Sequence, residues 1–231
     1  MNVTLRLGVG LGSLILAVGG CVSTPSPRMS ALLGVPVNAE TMATQPVAKW
    51  PAQHRFAFMI VSDASGPEAA PAISASMLSR LAQRTQVYLE KYCELSGIVP
   101  IPIEATQTDQ RLIALLEKAK QVDAESLIIA LFSSTESTEA GTFGEERMMT
   151  QIPGETTHNT ALLELGLVNV ERGSMDIQVS GEARQSLDRL NVPIGADYPP
   201  YETALDILRA NAGQQALDRA LPIFTKGCVT P

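Results

Sequence analysis

The chain has 231 residues, 45% of them apolar and 18% charged, with a net charge of −7 and an isoelectric point near 4.9. That composition excludes an intrinsically disordered chain, and the length points to one domain or two small ones. The acidic balance argues against nucleic acid as a partner. Two histidines and three cysteines leave little material for a metal site, and neither metal nor cofactor is expected.

The first twenty residues carry one charged side chain, Arg6, followed by an apolar stretch from Leu7 to Val18. A bilayer span needs about 20 such residues, so the stretch reads as the apolar region of a secretory signal. Val18-Gly19-Gly20-Cys21 resembles the bacterial lipobox, in which the cysteine is lipidated and becomes the mature N-terminus. Residues 1–20 are therefore expected to be a lipoprotein signal peptide. Acyl chains at Cys21 would anchor the chain, since each buried methylene contributes about 0.8 kcal/mol. By resemblance to enterobacterial sorting signals, Val22 in place of an acid favours the outer membrane, with the body on the periplasmic face.

Residues 21–53 read as the lipidated cysteine and a tether. They hold Pro25, Pro27, Pro36, Pro46 and Pro51, and a flexible chain of that length reaches roughly 30 Å. Inside it, Arg28–Val35 is an apolar island, expected to pack on the domain rather than to dock a partner.

The domain is expected over 54–226, with 227–231 as a tail. Phe56–Ser62 is an apolar run closed by the turn cluster Asp63–Pro67, the pattern of a strand buried on both faces. A helix is expected over 71–96, its apolar stripe formed by Ile73, Met77, Leu81, Tyr88, Tyr92 and Leu95, with Gly97 as its stop. Ile98–Ile103 is a second apolar run whose prolines confine it to a sheet edge. Thr108 or Asp109 caps a helix over 109–121, and Ser126–Phe132 is another buried strand. Residues 133–158 are polar and rich in turn formers. They read as a long connection that is functional, disordered or holds its own hairpin. Residues 160–170 and 175–183 form a hairpin through Glu171–Ser174. A loop follows over 184–200, and then a helix over 201–220 with Leu205, Leu208, Ala212 and Leu221 inward and Arg209 and Arg219 outward. The fold class is α/β: a single sandwich, its mixed sheet in the order β-α-β-α-β-β-β-α with helices packed on it.

Sequence motifs for catalysis are missing. The chain contains no Gly-x-Ser-x-Gly, His-Glu-x-x-His, P-loop or Gly-x-Gly-x-x-Gly pattern. His54 and His158 read as surface residues, and Glu145 and Glu146 as solvated loop acids. Met148 and Met149 beside Phe143 are adaptable apolar groups that read equally as a binding surface or as cover for the sheet. Asp63, Phe143, Met148, Met149, Asn169 and Arg172 make up the candidate partner or ligand surface. Once exported, Cys93 and Cys228 share an oxidising compartment, and a sandwich of this kind brings the ends of their two helices to one edge. A disulfide between them is expected, closing a loop worth at most roughly 5 kcal/mol.

Leu167-Val168-Asn169-Val170-Glu171-Arg172-Gly173 resembles a strand-and-turn pattern of periplasmic accessory lipoproteins. That group includes the curli secretion-channel lipoprotein, the lipoprotein activator of a peptidoglycan synthase and the N-terminal domain of the Tol-system propeller protein. Asn169 stands where the group has Asp. The resemblance spans about residues 54–221 and implies a non-enzymatic protein that binds other proteins or assembles into rings. Pore-forming strands need 9–11 residues of clean alternation, which the charged stretch 133–158 lacks. Arg28, Ser30 and Leu32 also resemble the Arg-x-Ser-x-Leu opening of lipoproteins that accompany rhombosortase systems. The expected function is an outer-membrane-anchored accessory module of an envelope assembly or secretion system. Its partners would be the membrane and an envelope protein, with a homo-oligomer left open. The alternative is a lipid-anchored ligand-binding protein or hydrolase with a site in the 63–67 and 133–158 loops, which follow strand ends as ligand loops do in open α/β sheets.

Overall fold

The computed structural model describes residues 28–29, 50, 55–64, 69–93, 95, 97–101, 112–143, 152–190 and 200–228. Cys21, His54, Glu145, Glu146, Met148, Met149 and the proposed cap at Thr108 or Asp109 lie outside the described residues. The elements are β1 (Phe56–Asp63), α1 (Ala75–Cys93), β2 (Ile98–Pro100), α2 (Leu112–Gln121), β3 (Ser126–Phe143), β4 (Ile152–Asn169), β5 (Met175–Leu190) and α3 (Tyr201–Phe224), with a short 3-10 turn over Thr225–Gly227. One five-stranded sheet runs in the order β2-β1-β3-β4-β5. β2 and β3 flank β1 in parallel, while β4 and β5 are antiparallel to their neighbours. This is the mixed α/β sandwich expected from the strand and helix order.

The apolar runs became strands because both of their faces are covered. Phe56, Phe58, Ile60, Ile128, Ala130, Phe132, Leu163, Leu165 and Leu167 point to one side, where α1 and α3 pack. Ala57, Met59, Leu127, Ile129, Leu131 and Val168 point to the other, against Leu115 and Ala119 of α2 and against Met29. A strand with two buried faces needs apolar residues at every position, not at alternate ones. Pro100 sits in β2 at the sheet edge, where a missing N–H costs no ladder bond.

Helix α3 approaches the sheet closely through small residues. A Cβ on Gly213 would lie 2.8 Å from the Phe132 ring, and one on Gly181 of β5 would lie 2.6 Å from the backbone nitrogen of Ala220. Gly213 thus weakens the helix locally and in return admits an aromatic side chain.

Three expectations are corrected. The stretch 133–158 is not a loop over most of its length: of the readings open for it, the hairpin is the one found, with residues 133–143 and 152–158 continuing β3 and β4 as an antiparallel ribbon. β5 likewise runs to Leu190, into the residues expected as the 184–200 loop. Each 18-residue strand is about 60 Å long, and from Ser137 onward most of β3 is exposed. An exposed ribbon needs no apolar face, so its polarity resembled a loop; the signal overlooked was threonine, a strand former. Second, the buried stripe of α1 adds Leu78, Thr85, Leu89 and Cys93 to the expected Leu81, while Ile73, Met77, Tyr88 and Leu95 pack on the core as expected. Tyr88 and Tyr92 lie beside it, their rings 4.4 Å apart, and Tyr92 is about half exposed. Third, Arg209 is buried rather than outward.

Cys93 and Cys228 are joined, their Cα atoms 5.0 Å apart. The bond ties the end of α1 to the turn after α3. Trp50 is fixed at the same edge: its backbone N–H donates to Gly227 O at 3.0 Å and its Nε1–H to Phe224 O at 3.2 Å. Non-reducing peptide mass mapping of the exported protein is expected to recover the Cys93 and Cys228 peptides as one linked species. Replacing both cysteines by serine is expected to lower unfolding stability by about 2–5 kcal/mol, read from urea melts.

Candidate functional site

The candidate surface residues do not converge. Asp63 ends β1 beside Ser133 of β3. Phe143 is the last residue of β3 and pairs with Ile152. Its ring lies over Gly154, where a Cβ would come within 2.6 Å of it. Asn169 is at the opposite end of β4, roughly 55 Å from Ile152 along the strand. There Asn169 Oδ1 accepts the Arg172 N–H at 2.8 Å, Gly173 takes a φ of +65°, and the Arg172 guanidinium meets Asp176 at 3.3 Å. Asn169 and Arg172 are therefore brought together as the β4–β5 turn, and their contacts are those of a turn. Met148 and Met149 lie outside the described residues.

The most constrained polar cluster involves a residue that sequence reasoning passed over, Glu164. It sits on β4 between Leu163 and Leu165, its side chain directed to the α2 side of the sheet, and it is fully buried. One carboxylate oxygen accepts two successive backbone N–H groups, from Arg28 at 2.7 Å and Met29 at 3.0 Å. The other accepts Gln178 Nε2–H from β5 at 3.0 Å. Arg28 also reaches forward: its guanidinium pairs with Asp63 at 3.0 Å, both side chains largely shielded. Met29 is fully buried. Its sulfur lies over Gly166, two residues along the same face, where a Cβ would stand 2.6 Å away.

Each part has a local cause. A carboxylate inside an apolar layer costs several kcal/mol unless it is met by donors. Gln178 supplies one donor from the neighbouring strand and the N-terminal segment supplies two. The absence of a side chain at Gly166 leaves a slot for a long, unbranched one. Asp63, at the C-terminal end of β1, then holds the arginine. The Arg28–Val35 island thus packs on the domain at its first two residues, as expected. The tether expected over 21–53 is held at Arg28–Met29 and again at Trp50. The one signal for Glu164 was a single acid inside the apolar run Ala161–Val168.

Burial pushes the Glu164 carboxyl above the ordinary glutamate range. The Arg28 and Met29 amides, the Gln178 amide and the Arg28 charge pull in the opposite sense without cancelling it.

Elsewhere, Arg209 of α3 makes a two-pronged pair with Glu136 of β3 at 2.9 and 3.0 Å and bonds Asp206 at 3.1 Å. Burial works against its charge, and these bonds outweigh burial, so its pKa is raised. Fully buried Asn159 on β4 has no hydrogen-bond partner for its side chain among the described residues. His158 Nδ1 lies 2.7 Å from Ser186 Oγ. An open groove of about 830 Å³ lies between α1 and α3, with Arg80, Tyr88, Tyr92 and Ile207 on its walls and the Arg84–Asp218 pair across it. Among the described residues no group of three or more His, Cys, Asp or Glu lies together as a metal site would need. No helix among them is long and apolar enough to cross a membrane.

No protein-family model matches the chain, and no curated protein matches it. Solved structures do match. A Helicobacter pylori protein described as a homologue of a neuraminyllactose-binding hemagglutinin is 10% identical, with 79% of this chain and 90% of that one covered and a TM-score of 0.40. Lipoprotein GNA1162 of Neisseria meningitidis is 12% identical over 69% and 96%, with a TM-score of 0.31. A minor lipoprotein of Acinetobacter baumannii is 7% identical over 70% and 89%, also with a TM-score of 0.31.

With its pKa raised in the fold, Glu164 keeps a proton over a pH window in which the unfolded chain has already released it. Its stabilising contribution is complete below the ordinary glutamate value and is lost as pH rises through the raised one. Glu164→Gln retains an oxygen for both N–H groups and meets Gln178 with its amide turned over. The stability of the wild type minus that of Glu164→Gln is expected to fall with rising pH across this window, in urea melts at a series of pH values. Glu164→Ala strands two N–H donors and is expected to cost about 1–3 kcal/mol. A pH-independent difference for Glu164→Gln would contradict the assignment.

Proposed function

We propose that this chain is an outer-membrane-anchored periplasmic lipoprotein, acting as a non-enzymatic interaction module of an envelope assembly or secretion system. In this reading residues 1–20 are the signal peptide, Cys21 carries the lipid and 54–226 form the working domain. The observation that supports it is the close succession of lipobox and clamp. Arg28 stands seven positions after Cys21, at most about 25 Å of chain. The hold on Arg28 and Met29 by Asp63 and Glu164 would therefore keep the sheet near the bilayer surface. A chain free as far as Trp50 would permit roughly four times that contour length. A lipid anchor followed closely by an attachment to the sheet suits a protein that works on partners near the membrane.

The ligand-binding or hydrolase reading drew on the 63–67 and 133–158 loops. Most of the second is strand, and Asp63 is paired with Arg28, so no observed geometry favours that reading over the module.

Metabolic labelling with an alkyne fatty acid and membrane fractionation test the anchor. Wild type is expected in the outer-membrane fraction with label, and Cys21→Ser in the soluble periplasmic fraction without it. Crosslinked affinity purification is then expected to recover an envelope protein with the wild type and to lose it with Cys21→Ser. Recovery of the lipidated protein alone would overturn the module reading.

A further inference from the structure

The contacts of Arg28 and Met29 are those of a ligand in a receptor site. They enter no strand of the sheet. What they meet is a set of groups built into three strands: the Asp63 carboxylate on β1, the Glu164 carboxylate and the Gly166 slot on β4, and Gln178 on β5. Each group asks for one chemical feature. Glu164 asks for two successive backbone N–H donors. Asp63, its side chain only 12% exposed, asks for a guanidinium or ammonium. The slot over Gly166, where the Met175 methyl also lies 3.7 Å from the would-be Cβ, asks for a long side chain unbranched at its base. An arginine followed directly by methionine answers all three.

We propose that this site is the recognition site for a peptide segment of a partner protein that carries an arginine followed by a long unbranched apolar residue, and that Arg28–Met29 is an internal competitor occupying it. Emptying the site takes two backbone donors from Glu164 and uncovers the slot over Gly166, and another segment of the same chemistry restores both. A partner is favoured over a second copy of this chain. Exchanging identical segments between copies replaces every contact with the same contact and loses the advantage of the tethered one, which acts at an effective concentration on the order of millimolar. A partner's segment arrives with the rest of its own interface to offset that advantage. The inference supplies the recognition chemistry of the interaction module proposed above and in that sense rests on it. Its test is a binding measurement on purified chain, independent of lipidation and localisation, so the two readings fail separately.

The probe is a fluorescein-labelled peptide with the sequence of residues 26–35, followed by fluorescence anisotropy. The proteins are the full chain, the full chain carrying Arg28→Ala and Met29→Ala, and that double variant with Glu164→Ala added. The double variant is expected to bind the peptide at least about tenfold more tightly than wild type, because its own competitor is gone. Binding is expected to disappear when the peptide's arginine becomes alanine, when its methionine becomes aspartate, or when Glu164 is replaced. A double variant that keeps the near-ultraviolet signal of Trp50 and binds no peptide would overturn the proposal, as would equal binding of all the peptides. If the double variant does not fold, wild type is used at millimolar peptide. Hydrogen exchange of the Arg28 and Met29 amides is then expected to accelerate, and unchanged exchange overturns the proposal. Sedimentation showing that wild type dimerises in a manner abolished by Glu164→Ala would assign the site to a second copy and overturn the partner.

Discussion

Over the inner part of the sheet the middle strands are buried on both faces, so both faces must be covered there. On one side α1 and α3 do this with a large apolar layer. On the other α2 contributes a few residues, and Met29 fills the remaining gap over Gly166. Glu164 lies in that second layer. A lone carboxylate there is tolerable only with donors, and the segment that fills the apolar gap also brings the N–H groups. Packing and hydrogen bonding thus hold the same two residues for independent reasons, although they lie far from the domain in sequence.

The sheet divides into two regimes along its length. From Ser126 to Ser134, β3 is covered on both faces and wholly buried; beyond Ser137 it is largely solvated. The pairing does not change at that boundary, since β3, β4 and β5 stay in register to Ile152 and Leu190. Backbone hydrogen bonds carry the ribbon past the point where hydrophobic burial stops supporting it. Hydroxyl contacts of Thr157 with Thr138 and with Tyr201 take over from apolar contacts near the transition. The buried Arg209–Glu136 pair sits at the same boundary and docks α3 where the apolar layer thins.

Mechanically, the two ends of the N-terminal segment are treated differently. Trp50 is built into the main core between Phe56 and Phe224, at the edge that the disulfide also closes. Among the described residues, Arg28 and Met29 are held by the Asp63 and Glu164 carboxylates and the slot over Gly166. The first attachment is part of the fold, and the second has the character of a bound ligand. A lipid at Cys21 would place the second attachment between membrane and domain, so the length of the connection would depend on whether the Glu164 site is filled by this segment.

The sequence by itself determined the parts of the fold that burial dictates residue by residue. Phe56–Ser62, Ser126–Phe132 and the hairpin around Glu171–Ser174 were legible because a strand covered on both faces must be apolar throughout and a tight turn must have its own residues. The prolines of Ile98–Ile103 placed that run at an edge for an equally local reason. Tertiary structure alone decided the rest. The ribbon over 133–143 and 152–158 was legible only as one of several readings, because pairing through backbone groups leaves no hydrophobic trace. The inward turn of Arg209 depended on Glu136, 73 residues away, and the purpose of Glu164 on donors at Arg28 and Met29, 136 and 135 residues away. Local sequence records which surfaces must be hidden from water. Which distant group satisfies a buried charge is set only when the chain folds and brings the two together.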